Sequence, residues 1–129
     1  EDVVGMVRLV FDSRVTFHRG EAELAPGVSL HHVGGHTPGL QCVRVMTARG
    51  WLVLASDTSH YYEHFETDRC FPTVFNVGDT LEGYGILRRL AASGKHIIPG
   101  HDPLVMQRYP APSPALAGIA VRLDVEPRA

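Results

Sequence analysis

Apolar residues along this chain fall into short runs bounded by glycine, proline or charged turns, a pattern typical of β-strands. Such runs predict strands at residues 14–18, 28–33, 40–46, 51–55 and 95–98. The run at 51–55 has no polar alternation, so we expect that strand to be covered on both faces. A last strand, on the sheet edge, is predicted at 116–123. Most of the chain therefore predicts a meander of strands.

Two further segments carry apolar residues three and four positions apart, which is typical of amphipathic helices. Residues 2–11 form the first, with Asp2 as its N-cap and with the stripe Val3, Val7, Val10 and Phe11. The second has Asp79 as its N-cap and ends near Gly94. Its apolar stripe consists of Leu81, Tyr84, Leu87, Leu90 and Ala91. Strands with helices outside them predict a mixed α/β (α+β) fold.

The composition excludes several classes of partner. The 129 residues are 44% hydrophobic and 20% charged, with a formal net charge of −2, so no electrostatic case exists for nucleic acid or an anionic membrane. No stretch approaches the roughly 20 apolar residues that span a bilayer. No signal peptide is recognised either, which leaves the cytoplasm as the default location. Cys42 and Cys70 are too few for a disulfide framework and are interpreted as buried free thiols.

Three short stretches place a metal-binding side chain where a predicted strand runs into a loop. They are Gly-Gly-His36-Thr-Pro-Gly, Leu-Ala-Ser-Asp57 and Ile-Ile-Pro-Gly-His101-Asp. Imidazole and carboxylate are ligands that divalent metal ions prefer, and a carboxylate can bridge two ions. The glycines and prolines around His36 and His101 force tight loops that fix the direction of these two ligands. The three stretches together predict a metallohydrolase site.

With these motifs in this order, residues 21–109 resemble the C-terminal half of a metallo-β-lactamase-fold hydrolase, and most closely the N-acyl homoserine lactonases. The resemblance implies an αβ/βα sandwich of which this chain is about one half. It also implies two zinc ions, with His36 on one ion, Asp57 bridging both and His101 on the other. Asp57 and Tyr61 are the expected catalytic residues, Tyr61 stabilising the oxyanion.

The sequence also departs from the lactonase pattern. The family's His-x-His-x-Asp-His stretch is absent, so we interpret residues 1–129 as the C-terminal part of the domain, without its N-terminal metal-binding half. Lactonases of this type place a tyrosine three residues after the bridging aspartate, whereas this chain has His60, and its role is assigned to Tyr61. His60 and His64 line the pocket or, as the preferred interpretation, are exposed residues of a lid. Asp102 either orients a ligand or is a turn residue.

The resemblance implies that the full-length parent is a zinc-dependent hydrolase that opens the ring of N-acyl homoserine lactones, the reaction of quorum quenching. Two alternatives stay open: a thioesterase or other ester hydrolase of the same fold, and a non-catalytic fragment that lacks half of the metal ligands. This chain alone is expected to be inactive. The expected partner is a small-molecule lactone or ester, without nucleic acid or membrane, and a homodimer is left open.

Overall fold

The predicted meander is present as a five-stranded sheet in the order β1-β2-β3-β4-β5. The computed structural model describes residues 2–128. The strands are β1 (Glu21–Ala25), β2 (Val28–His32), β3 (Gln41–Thr47), β4 (Gly50–Leu54) and β5 (Ile97–Ile98). The first four strands are antiparallel, whereas β5 pairs with β4 in parallel. Two-residue turns join β1 to β2 and β3 to β4, and the longer loop 33–40, which carries His36, joins β2 to β3. Two parallel strands need a crossover connection between them, and the helical segment between β4 and β5 forms it here.

Four α-helices accompany the sheet, namely α1 (Asp2–Phe11), α2 (Tyr62–Thr67), α3 (Val77–Leu90) and α4 (Leu104–Arg108). The crossover contains α2 and α3. The N-cap of α3 is Asn76, whose side-chain oxygen accepts a hydrogen bond from the backbone N–H of Asp79 at 3.1 Å. The prediction that Asp79 caps this helix is therefore wrong by three residues, because Asp79 supplies the capped N–H group.

The core lies mainly between α3 and one face of the sheet. Its buried residues are Val33, Cys42, Val53, Ala55, Tyr62, Phe65, Tyr84, Leu87 and Ile97. On the opposite face Leu52 and Ile98 pack with Tyr109 and with Val121 and Leu123 of the C-terminal tail. The prediction that β4 is covered on both faces is confirmed, since Leu52 and Val53 are both buried.

The face opposite α3 is apolar beyond the part that the tail covers. Val43 pairs with Leu30 and Leu54, and Val45 pairs with Val28 and Leu52, so these side chains share one face. Leu52 alone of this group is buried, and the others are half-buried. A partly exposed apolar sheet face of this kind is typical of a surface that packs against another part of a protein.

Two predicted strands are absent from the described chain. Residues 14–18 form a loop without strand pairing. Leu116 ends a short 3₁₀ turn, Pro114–Leu116, and residues 117–123 have irregular backbone. Strand β1, which was not predicted, occupies the sheet edge instead. Lys95 also lies in a 3₁₀ turn, so β5 begins at Ile97. Helix α1 is present as predicted, but its apolar stripe is exposed.

Both cysteines are free, as predicted, and Cys42 is fully buried. Burial raises the pKa of the Cys42 thiol to about 11, because a thiolate loses its hydration inside the core. Cys70 is only half-buried. Among residues 2–128, none of the helices has the length and apolar character that crossing a membrane would require.

Candidate metal site

The loop that carries His36 is fastened to the start of α3. The carbonyl of Gly35 accepts hydrogen bonds from the backbone N–H groups of Phe75 at 2.9 Å and Asn76 at 3.0 Å. Gly35 has a φ of +89°, and a Cβ atom there would lie 2.6 Å from the Thr80 hydroxyl oxygen. A residue with a side chain would push the loop away from α3, so glycine is required for this close approach.

The imidazole of His36 is oriented by a backbone carbonyl. Its Nδ1–H donates a hydrogen bond to the carbonyl oxygen of Thr73. The other ring nitrogen, Nε2, is therefore left as an acceptor and lies 3.9 Å from Oδ2 of Asp57. Metal-binding histidines commonly have this arrangement, in which one ring nitrogen is anchored and the free nitrogen faces the ion.

Asp57 and His101 meet because β4 and β5 are parallel and end at the same edge of the sheet. Asp57 lies in a 3₁₀ turn directly after β4, behind Ser56 with a φ of +50°. A Cβ atom on Gly100 would lie 2.6 Å from the carbonyl oxygen of Ser56, so the two loops touch through their backbones. Hydrogen bonds from Gly100 N to Ser59 O at 2.9 Å and from His101 N to His60 O at 3.0 Å hold them together.

The carboxylate of Asp57 has imidazoles on both sides. Its Oδ1 atom lies 2.7 Å from Nε2 of His101 and 3.6 Å from Nε2 of His60. Its Oδ2 atom faces His36. The three predicted ligands are thus brought together, and each oxygen of the carboxylate points to a different histidine. This chemistry suits a carboxylate that bridges two divalent ions.

His60 is the residue that sequence reasoning undervalued. Its side chain is only 22% exposed, so the preferred interpretation as an exposed lid residue is wrong. Its ring stacks on Phe71 with a centroid separation of 3.7 Å. Burial, and then the neighbouring His101, lower the pKa of His60, which favours the neutral imidazole that metals bind. The spacing Asp57-x-x-His60 could have indicated that His60 lies near Asp57, because a helical turn brings residues three apart together. No sequence pattern indicated the contact with Phe71.

Tyr61 follows His60 in the chain and is the N-cap residue of α2. Tyr61 is 46% exposed, and its ring lies 5.2 Å from the ring of His64, centroid to centroid. Its backbone N–H donates to Nδ1 of His64 at 3.3 Å. The role of Tyr61 as oxyanion stabiliser stays a prediction.

Asp102 is buried and uses both carboxylate oxygens to bind backbone. Oδ2 accepts from the N–H of Tyr62 and Oδ1 accepts from the N–H of Leu104, both at 2.9 Å. These bonds join the segment after His60 to the segment after His101. The geometry favours the interpretation as a turn residue, which positions the ligand loops through their backbones.

The remaining histidines that were not expected to bind metal have other partners. Nε2 of His31 lies 2.8 Å from the hydroxyl oxygen of Ser29, and the ring of His32 donates to the carbonyl of Pro38. His96 lies between the hydroxyl of Ser93 and the carbonyl of Arg49. His18 lies in the loop before β1. These contacts agree with structural roles.

Comparison with known proteins gives one consistent result. No family model matches the chain. An N-acyl homoserine lactonase from Bacillus sp is 42% identical over 50 residues, which are 38% of this chain and 20% of that protein. The solved structure of an N-acyl homoserine lactone hydrolase, with N-hexanoyl-L-homoserine at its catalytic metal centre, matches 71% of this chain with 30% identity and a TM-score of 0.64.

Two further solved structures of lactonases are also similar to this chain. A variant of B. thuringiensis AiiA, with N-decanoyl-L-homoserine at its active site, is 30% identical over 71% of this chain, with a TM-score of 0.64. AidC, a dizinc quorum-quenching lactonase, shares the fold at 18% identity, with a TM-score of 0.56. The chain spans only 37% of the hydrolase and of AiiA, and 32% of AidC. It is thus a lactonase-like chain that has part of the metallo-β-lactamase fold of the N-acyl homoserine lactonases.

Proposed function

We propose that the protein to which this chain belongs is a zinc-dependent hydrolase that opens the lactone ring of N-acyl homoserine lactones. The observation that carries the proposal is the Asp57 carboxylate, which faces His36 through one oxygen and His101 through the other. The similarity to lactonases over 71% of the chain supports the same substrate class.

The residues present would supply part of the ligand set for a pair of divalent ions. His36, Asp57 and His101 supply two imidazole nitrogens and a carboxylate, a ligand set that suits zinc. His36 and Asp57 would hold one ion, and Asp57 and His101 the other. Two such ions would lower the pKa of bound water and would polarise a lactone carbonyl. The Thr73 carbonyl keeps His36 in the tautomer that leaves Nε2 free.

A site for two ions needs more ligands than these three residues supply. We propose that the others come from an N-terminal half of the domain, which would also cover the half-buried apolar residues of the sheet face opposite α3. Val28, Leu30, Val43 and Val45 are the residues of this face that such a half would bury. Tyr61, which follows His60 in the chain, would donate a hydrogen bond from its hydroxyl group to the carbonyl oxygen of the lactone.

Ring opening by the zinc-loaded protein tests this function. N-hexanoyl homoserine lactone is the substrate, acid release at constant pH is the readout, and a thioester is the comparison. We expect the lactone to be the better substrate by kcat/KM. We also expect Asp57→Asn to lower kcat/KM by at least about 100-fold, because a shared ligand of both ions is lost. A preference for the thioester, or an Asp57→Asn protein of unchanged activity, would contradict the proposal.

A further inference from the structure

We propose that Asp57, His60 and His101 form a three-ligand site for one divalent ion within this chain, with His60 as a ligand that lactonases of this type lack. The inference rests on the metal site of the proposed function and adds a ligand to it. The nitrogen and oxygen atoms that the three residues offer all lie within 4.8 Å of one another. One ion therefore needs only small side-chain movements to reach all three.

The distances are close to those that zinc requires. Two ligand atoms on one tetrahedral zinc ion are about 3.3 Å apart, given zinc to nitrogen or oxygen bonds of about 2.0–2.1 Å. Oδ1 of Asp57 lies 3.6 Å from Nε2 of His60 and 2.7 Å from Nε2 of His101. The distance to His60 must shorten slightly, and the distance to His101 must lengthen by about half an ångström. Rotation of the exposed His101 ring can supply the second change.

The surroundings hold His60 in place before any ion binds. Its ring lies flat against buried Phe71, at an interplanar angle of 21°. Its carbonyl accepts the N–H of His101, which fixes the spacing of two ligands through the backbone. The buried carboxylate of Asp102 binds the chain two residues after His60 at the N–H of Tyr62. A ligand held in this way loses little conformational entropy when it binds an ion.

The site would have the features of a catalytic zinc site rather than of a structural one. Three protein ligands leave a fourth position open for water or substrate. Two neutral imidazoles and one carboxylate leave the complex with a charge of +1, which would polarise a bound carbonyl. Oδ2 of Asp57 remains directed at His36, so a second ion on that side is still compatible with the arrangement.

A simpler interpretation is that His60 and His101 only hydrogen-bond to Asp57. Ion pairs at partly exposed positions contribute little stability, about 0–1 kcal/mol. The cluster also places the rings of His36, His64 and His101 within 6.2 Å of the His60 ring, centroid to centroid. Nε2 of His60 and Nε2 of His36 lie 3.6 Å and 3.9 Å from the Asp57 carboxylate oxygens, beyond hydrogen-bonding distance. Hydrogen bonding to Asp57 therefore does not account for their placement, whereas metal sites use such nitrogen ligands.

Zinc titration of the 129-residue chain tests the inference, with a chromogenic chelator as competitor. His60→Phe removes the nitrogen but keeps a flat ring to stack on Phe71. His64→Phe is the matched control, because His64 is half-buried beside the same Phe71 ring and lies outside the three-ligand cluster. We expect one zinc ion per chain, an affinity at least about 100-fold weaker in His60→Phe, and no change in His64→Phe.

Cobalt in place of zinc gives a readout that needs no variant. X-ray absorption of the cobalt-loaded wild-type chain should show two imidazoles on the ion, and a single imidazole would overturn the inference. Unchanged zinc affinity in a folded His60→Phe chain would overturn it too, and so would a folded wild-type chain that binds no zinc. Lactone opening by the intact protein decides the proposed function separately, because the ligands of that proposal, His36, Asp57 and His101, do not include His60.

Discussion

Gly100 allows the loop of His101 to approach the turn of Asp57. The backbones are so close there that a Cβ atom on Gly100 would lie 2.6 Å from the carbonyl oxygen of Ser56. Ser56 itself has a left-handed backbone, with a φ of +50°, a conformation that costs energy in a residue other than glycine. Local strain and close approach together place the carboxylate of Asp57 within 2.7 Å of the His101 ring.

Substitution of Gly100 should therefore damage both stability and metal binding. We expect Gly100→Ala to lower the free energy of unfolding by about 1–3 kcal/mol and to weaken zinc binding, since the two loops must separate. Gly39→Ala is the matched control, because Gly39 also follows a proline in a ligand loop and a Cβ there would meet nothing within 4 Å. Urea unfolding and zinc titration check the pair, and equal effects of the two substitutions would refute the explanation.

At the scale of single residues, the sequence indicates a candidate ligand well when it lies just after a strand. His36, Asp57 and His101 come three or four residues after a strand ends, and glycine and proline mark the loops of His36 and His101. His60 and Phe71 were harder to predict because their contact depends on how α2 and the following loop fold back. That arrangement is set by tertiary packing, which no local pattern reports.

At the scale of elements, α3 positions the His36 loop. The two residues that precede α3, Phe75 and the N-cap Asn76, donate hydrogen bonds from their backbone N–H groups to the carbonyl of Gly35. The Asn76 side chain caps the same end through the N–H of Asp79. The cap and the loop are therefore parts of one connected structure, so fraying of the first turn would disturb the neighbourhood of His36.

Removal of this cap should destabilise the chain by a predictable amount. We expect Asn76→Ala to lower the free energy of unfolding by about 1 kcal/mol, because the N–H of Asp79 loses its acceptor. Asn76→Asp keeps an acceptor oxygen and adds a negative charge at a helix N-terminus, so its stability should equal or exceed that of the wild type. Urea unfolding followed by circular dichroism measures both. A loss of equal size in Asn76→Asp would show that the cap is not the cause.

The strands show where sequence patterns succeed and fail. β2, β3 and β4 were predicted because these inner strands, each with a neighbour on both sides, consist of apolar runs. β1 was missed because Glu21 and Glu23 are exposed on an edge strand, where charges are tolerated. Residues 14–18 have β-branched and aromatic side chains but find no pairing partner in the described chain. The segment 116–123 contains Gly118 with a φ of +75°, which interrupts extended backbone.

At the scale of the whole molecule, the fold places the candidate site at one edge of the sheet. β4 and β5 end there side by side, and their loops carry Asp57 and His101. The chain spans 37% of the solved lactone hydrolase that it matches. Sequence motifs predicted this part of the fold and three candidate ligands that the fold brings together. The exposed apolar positions of the sheet could be predicted only in outline, because the burial of each one depends on the path of the C-terminal tail over Leu52 and Ile98.

The central claim is that Asp57 organises a metal site, and zinc content tests it most directly. The wild-type chain and Asp57→Asn would be dialysed against dilute zinc and analysed for metal per chain, with circular dichroism to confirm that both are folded. The account predicts about one zinc ion in the wild type and little in Asp57→Asn. The neutral amide cannot replace the charged carboxylate that binds the ion together with the surrounding histidines. Equal zinc in the two folded proteins, or none in the wild type, would contradict it.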